Sequence, residues 1–177
     1  MESEGVNHIG WVFSGQAEYE GGATSFLAHG AGERLVYVAD DPNPNQWPKP
    51  LLAQGVVVVL STAEVYGSER IVDASAQRAA FEHMVVQAVH DGYRGLRVVA
   101  DDTSLIAGPE RLAAWLDWEH EAERFIAQNP FTALCAFDRR RADAEALAAV
   151  TAVHRATLSS TSGVSTSGVS TSGVDRA

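Results

Sequence analysis

The sequence predicts an α/β fold: a single three-layer domain built on a mostly parallel sheet of five or more strands. Three observations lead there. Five short apolar runs, HIGWVFSG, ERLVYVADD, GVVVVLSTAE, GLRVVADDTS and FTALCAFD, each end in polar residues. Most of the stretches between them carry apolar residues at helical spacing, the alternation of a β-α-β chain. The third run is β-branched and unalternating, as expected of a strand covered on both faces, and is read as mid-sheet.

The first strand, His8 to Ser14, leads into a helix over Gln16 to His29, where Ala17, Phe26 and Leu27 give a modest apolar face. Gly30-Ala31-Gly32 stops it, and Arg34 to Ala39 forms the next strand. DDPNPNQWPKP follows; its prolines remove backbone donors and bar the residues before them from helical geometry, so this is a loop carrying Trp47. Val56 to Leu60 is the third strand. After a loop containing Gly67, Asp73 caps a helix running to Val89, with Phe81, Met84, Val85, Ala88 and Val89 at helical spacing and His83 and His90 off that stripe, exposed.

Gly95 to Asp102 supplies the fourth strand. Gly108-Pro109 opens the next helix, proline standing at the first helical position where its missing donor costs nothing. Leu112, Trp115, Leu116, Ala122 and Ile126 form the buried stripe of this helix, and Glu119, seven residues after Leu112, falls on the same face. A carboxylate aimed at a core must be paired, hydrogen-bonded or protonated. Glu119 is therefore expected to have a partner, either structural or a ligand. Asn129-Pro130 ends the helix, Phe131 to Phe137 is the last strand, and Ala142 to His154 is an Ala-rich closing helix. From Ser160 to Val174 the pentapeptide STSGV occurs three times. Ser/Thr/Gly repeats bury no core, so the expected division is a domain over 1–156 and a disordered tail over 157–177.

Composition narrows the function. With 177 residues the chain accommodates one α/β domain with a real core. No apolar stretch approaches the ~20 residues that span a bilayer, and the start MESEGVNH is acidic and polar, so a cytoplasmic protein without membrane attachment is expected. A single cysteine, Cys135, allows no internal disulfide. A net charge of −10 disfavours binding to nucleic-acid backbones, because it offers no counterion release. Lys49 is the only lysine, and Arg139 to Arg141, the one basic cluster, reads as a solvated turn.

Much chemistry is missing. There is no GxxxxGK[ST] to cradle a phosphate, no GxGxxG between a strand and a helix, and no GxSxG, so no cofactor is expected. Glu119 or His120 can share a helix face with Glu123, but neither pair is diagnostic, and no metal site is expected. Cys135 lies in the apolar run TALCAF, where cysteine behaves as a small inert hydrophobe, so its pairing with His8 or His154 as a nucleophile is disfavoured. Ligands of parallel sheets bind at the strands' carboxyl ends, which would gather Ser14, Asp40, Asp41, Ser61, Thr62, Asp101, Asp102, Thr103 and Asp138 along one edge. Asp101 and Asp102 are read there as caps of the following turn.

HIGWVF, GERLVYVAD, GYRGLRVVADDT, the helix with Trp115 and Trp118-Glu119, the strand LCAFD and the late His154, in that order, resemble the MEDS domain, the methanogen/methylotroph DcmR sensory domain. The resemblance covers most of residues 7–156. It implies a ligand-sensing module of RecA/KaiC-like fold without a working phosphate loop, found in regulators that respond to small organic compounds. His8, Glu119, Cys135, Asp138 and His154 occupy the family's characteristic positions. Phe13, Trp118 and Phe137 stand where relatives often carry tyrosine, and Arg155 stands where a proline is usual.

The leading expectation is a cytoplasmic sensory or regulatory domain that binds a small organic molecule at the strands' carboxyl edge. His8 and Glu119 would anchor the ligand, with Trp47, Trp115 and Trp118 as apolar walls. No catalytic residue is assigned. The signal would pass to a separate signalling protein, since the sequence shows no DNA-binding or kinase domain. The alternative is a protein-interaction module of a phosphorelay or anti-sigma circuit without a small ligand; a third reading is a hydrolase-type enzyme using Glu119 and His8.

Overall fold

The structure, a computed structural model, describes residues 6–42, 57–159 and 164–166. Strand β1 (His8–Phe13) is followed by α1 (Gln16–Ala28), β2 (Arg34–Ala39), β3 (Val57–Ser61), α2 (Thr62–Tyr66) and α3 (Ala74–His90). Then come β4 (Leu96–Asp101), a 3-10 turn (Thr103–Ile106), α4 (Pro109–Gln128), β5 (Phe131–Asp138), α5 (Ala144–Val153), β6 (Ala156–Ser159) and β7 (Val164–Thr166). The sheet order is β3-β2-β4-β5-β1-β6-β7, parallel throughout except for the antiparallel β6–β7 pair. The fold is α/β with six parallel strands, the class expected from the sequence.

Strand alternation sorts the core into two halves. On one face Trp11, Phe13, Leu35, Tyr37, Val99 and Leu134 pack with Tyr19, Ala23 and Leu27 of α1. On the other, Val36, Val98, Ala100, Ala133, Cys135 and Phe137 meet α3, α4 and α5 through Phe81, Val85, Trp115, Trp118, Phe125 and Val150. Helices on both faces make three layers. Asp73 caps α3 by accepting a hydrogen bond from the Ala76 amide (2.8 Å), and Ser61 and Glu64 form a capping box on α2.

Several details add to the sequence reading or depart from it. Among the described residues Val57–Ser61 is the edge strand, not a central one: Leu60 and Val58 touch one core and Val57 and Val59 the other, so both of its faces are covered although it pairs with a strand on one side only. A short helix, α2, replaces the first part of the Gly67 loop. At the end of the described residues Ala156–Ser159 pairs with β1, and Val164–Thr166 pairs antiparallel with β6. Finally, Arg141 lies in an exposed turn, as the sequence suggested, but its guanidinium also makes ion pairs. It pairs with Asp101, with Asp138 (3.4 Å) and with Asp40 (3.6 Å), closing the acidic edge of the sheet. Trp47 lies outside the described residues.

Candidate functional site

Four residues distant in sequence meet under α4. His8 opens β1 and, like Gly10, faces the α4 side of the sheet, where Cys135 of the adjoining β5 also points. Glu119 reaches down from α4 and His154 follows the last turn of α5. All four are buried, and one ligand atom from each lies within 4.8 Å of the others. Glu119 Oε2 stands 3.2 Å from His8 Nε2 and 3.2 Å from His154 Nε2; Cys135 Sγ is 3.7 Å from His8 Nε2.

The rings are oriented from behind. His154 Nδ1 donates to the Val150 carbonyl (2.7 Å), and His8 Nδ1 donates to Glu123 Oε2 (2.9 Å). Glu123 is in turn held by Arg155 Nε at 2.7 Å. Both histidines thus turn Nε2 toward Glu119, whose two oxygens have no well-directed hydrogen bond among the described residues. Gly10 makes room: a Cβ there would fall 2.8 Å from His154 Cγ.

Electrostatics follow from burial and from these neighbours. Burial works to lower the His8 pKa, but its close polar contacts with Glu119 and Glu123 and the charge of both carboxylates outweigh it and push the value up to about 9. His154 goes the other way, held down by burial. Burial pushes the Cys135 thiol well up, and the charges of Glu119 and Asp102 add to this. Asp102 is fully buried against the same region with neither oxygen hydrogen-bonded among the described residues; burial and then Glu119 raise its carboxyl well above the usual range.

Of the residues singled out from sequence, His8, Glu119, Cys135 and His154 come together. Asp138 does not join them: it ends β5 at the carboxyl edge, where the Arg140 amide (2.9 Å) and the Arg140 and Arg141 guanidiniums bind it. Trp115 and Trp118 belong to the core. Trp118 stacks on Phe81 at 5.6 Å between centroids, and Trp115 meets Tyr66 edge-on at 5.5 Å. The cluster also lies away from the carboxyl edge at which a ligand was expected, because His8 begins its strand. At that edge the start of α1 is filled from within: Glu18 accepts the Ser14 amide (2.8 Å), and the Arg140 guanidinium lies against Gly15.

Sequence reasoning treated Asp102 as a turn cap, a role that Asp101 fills by accepting from the Thr103 amide at 3.1 Å. Glu123 was legible only as a neighbour of Glu119 one turn along; its contact to His8 spans 115 residues. His120, its rival, faces outward.

Two spaces adjoin the cluster. An open cleft of about 410 Å³ is lined by Val6, Asn7, His8, Glu123, Ile126, Ala127 and Arg155. On the inner side, a void of about 20 Å³ touches His8, Cys135 and Trp118, room for about one water. His8 and Ile126 line both.

The chain is thus an α/β domain with a buried polar cluster behind an open cleft. The family model described as MEDS, the methanogen/methylotroph, DcmR sensory domain, matches residues 7–155, and the chain belongs to that family. Membership supports a sensory or regulatory role. No curated protein matches the chain. Among solved structures it is similar to the flagellar accessory protein FlaH from Methanocaldococcus jannaschii, with 10% identity and a TM-score of 0.48, over 86% of this chain and 69% of that one. No helix of the described residues is long and apolar enough to cross a membrane.

Proposed function

We propose that the chain is a cytoplasmic sensory domain that binds a small organic molecule and passes the signal to a separate protein. The observation that supports this is the cleft of about 410 Å³ that shares His8 with the buried cluster. Its size suits a small molecule, and its lining joins an apolar wall, Val6, Ile126 and Ala127, to the polar groups of Asn7, Glu123 and Arg155. A ligand that takes over the Glu123–His8 or Glu123–Arg155 contact changes what holds the His8 ring, and His8 Nε2 faces Glu119 in the core. Binding outside is thereby felt by the sheet and α4.

The test is a panel of short alcohols, amines, carboxylic acids and halogenated methanes, applied to the full chain by thermal shift and calorimetry. At least one compound is expected to bind in a 1:1 ratio and to lose affinity in Arg155→Ala and Glu123→Gln. A panel without a binder, or binding indifferent to both substitutions, removes this reading.

The alternative, a protein-interaction module without a small ligand, has one observation in its favour: Val86 and Val89, one turn apart on α3, are 62% and 50% exposed. Two apolar side chains side by side on a helix are a contact surface in want of a partner. If the panel is silent while Val86→Glu abolishes co-purification of a stoichiometric partner from the native host, this reading replaces the first.

A further inference from the structure

We infer that His8, Glu119, Cys135 and His154 form a binding site for a divalent transition-metal ion, zinc foremost. The inference concerns the ion alone and does not depend on the organic ligand.

The first support is the count of donors and acceptors. The Val150 carbonyl and the Glu123 carboxylate only accept, so each imidazole spends its Nδ1 proton there. His8 Nε2 and His154 Nε2 are thereby both aimed at Glu119 Oε2, at 3.2 Å from each, and in their neutral forms both present lone pairs there. The three atoms make a seat for one shared cation: a proton on His8 fills it toward Glu119 alone, whereas a metal ion engages His154 Nε2 as well. Glu119 is 2% exposed, and both its oxygens and His154 Nε2 have no hydrogen bond among the described residues, an arrangement that is costly without a further partner.

Geometry is the second support. Around a tetrahedral zinc, with bonds of about 2.0–2.3 Å, neighbouring ligand atoms stand about 3.3–3.6 Å apart. Three of the six separations, 3.2, 3.2 and 3.7 Å, lie close to that range, and all six are within 4.8 Å, so closing on an ion asks only for side-chain adjustment. Imidazole nitrogen, thiolate sulfur and one carboxylate oxygen are the donor set that zinc and ferrous iron favour over calcium or magnesium. A bound dication would also reverse what burial does to Cys135, since a coordinating thiol gives up its proton.

The third support is the outer shell. Glu123 behind His8, itself held by Arg155, and a backbone carbonyl behind His154 are the contacts that fix metal-ligating histidines in the right tautomer. Gly10 completes the seat, since any side chain there would displace the His154 ring. With four protein ligands the ion has no open position, so its work is to tie β1, α4, β5 and the end of α5 together behind the cleft wall.

The test uses the full chain without a histidine tag, stripped with EDTA and then given Zn²⁺. Elemental analysis is expected to find about one zinc per chain, with a rise in melting temperature. Cys135→Ser and Glu119→Gln are expected to abolish tight binding, and Glu123→Gln, which alters only the support behind His8, to weaken it about 10–100-fold. Because a change in a buried cluster can prevent folding, Co²⁺ on the unaltered chain gives a second readout. Cys135 is the only cysteine, so a thiolate-to-cobalt charge-transfer band accompanied by tetrahedral d–d absorption has one source. A wild-type chain that takes up no Zn²⁺ at micromolar concentrations, or Co²⁺ bound without the charge-transfer band, overturns the inference; the cluster is then held by protons shared among Glu119 and the two histidines. Zinc retained in folded Cys135→Ser and Glu119→Gln overturns it equally.

Discussion

The imidazole of His154 lies directly against the backbone of Gly10, so close that a Cβ on Gly10 would sit 2.8 Å from His154 Cγ and 3.0 Å from Nδ1. Gly10 is paired in register with Cys135 on one side and with Thr157 on the other, so β1 cannot move aside without breaking two parallel ladders.

Gly10→Ala is therefore expected to push His154 off Glu119 and to destabilise the fold by about 1–3 kcal/mol, as overpacked cores do. Urea unfolding measures the loss, and the His154 ring resonances report the displacement. Unchanged stability with an unshifted ring would mean that the strand gives way more easily than its two ladders suggest.

Trp118→Ala removes the ring that stacks on Phe81 and lines the void of about 20 Å³ beside His8 and Cys135. The expected cost is about 3–5 kcal/mol, with the void enlarged into a cavity. Denaturant titration gives the first figure. Xenon uptake, absent in the wild type and present in the variant, tests the second.

Arg141→Ala leaves Asp40, Asp101 and Asp138 without their shared cation. Asp101 and Asp138 are buried, so a loss of about 1–3 kcal/mol is expected at neutral pH, measured by denaturant titration. Unchanged stability would show that the remaining contacts of these carboxylates suffice without Arg141.

Acid sensitivity has a definite sign at Asp138. Burial works to raise its pKa, but the Arg140 amide, the Arg140 guanidinium and the charge of Arg141 prevail and hold it below the ordinary 3.8. A depressed carboxylate contributes stability that is fully present above the unfolded value and is lost as pH falls through the folded one. The stability gap between the wild type and Asp138→Asn should thus be constant between about pH 6 and 7 and close below about pH 4. A gap that persists at low pH would assign the contribution of Asp138 to its shape and not its charge.

Local signals made much of the fold legible. Gly108-Pro109 opens α4 where proline at the first position says it should, and Glu119 faces inward because seven residues from Leu112 are nearly two turns. The β3 run misled because covered faces, which suppress alternation, occur at an edge strand as well as in the centre.

The sequence by itself determined five of the strands and the four longer helices, that no phosphate loop exists, and that one carboxylate, Glu119, had to find a partner indoors. Those are consequences of spacing along the chain, and period, caps and breakers are local. Only the tertiary structure decided that the partners are two histidines and that a cysteine completes the group. Strand β1 lies between β5 and β6, a placement set by parallel pairing across more than a hundred residues, and it carries His8 and Cys135 to the same face under α4. Which way His154 turns was fixed last, by the end of α5 and the missing side chain of Gly10, and no periodicity in the sequence encodes either contact.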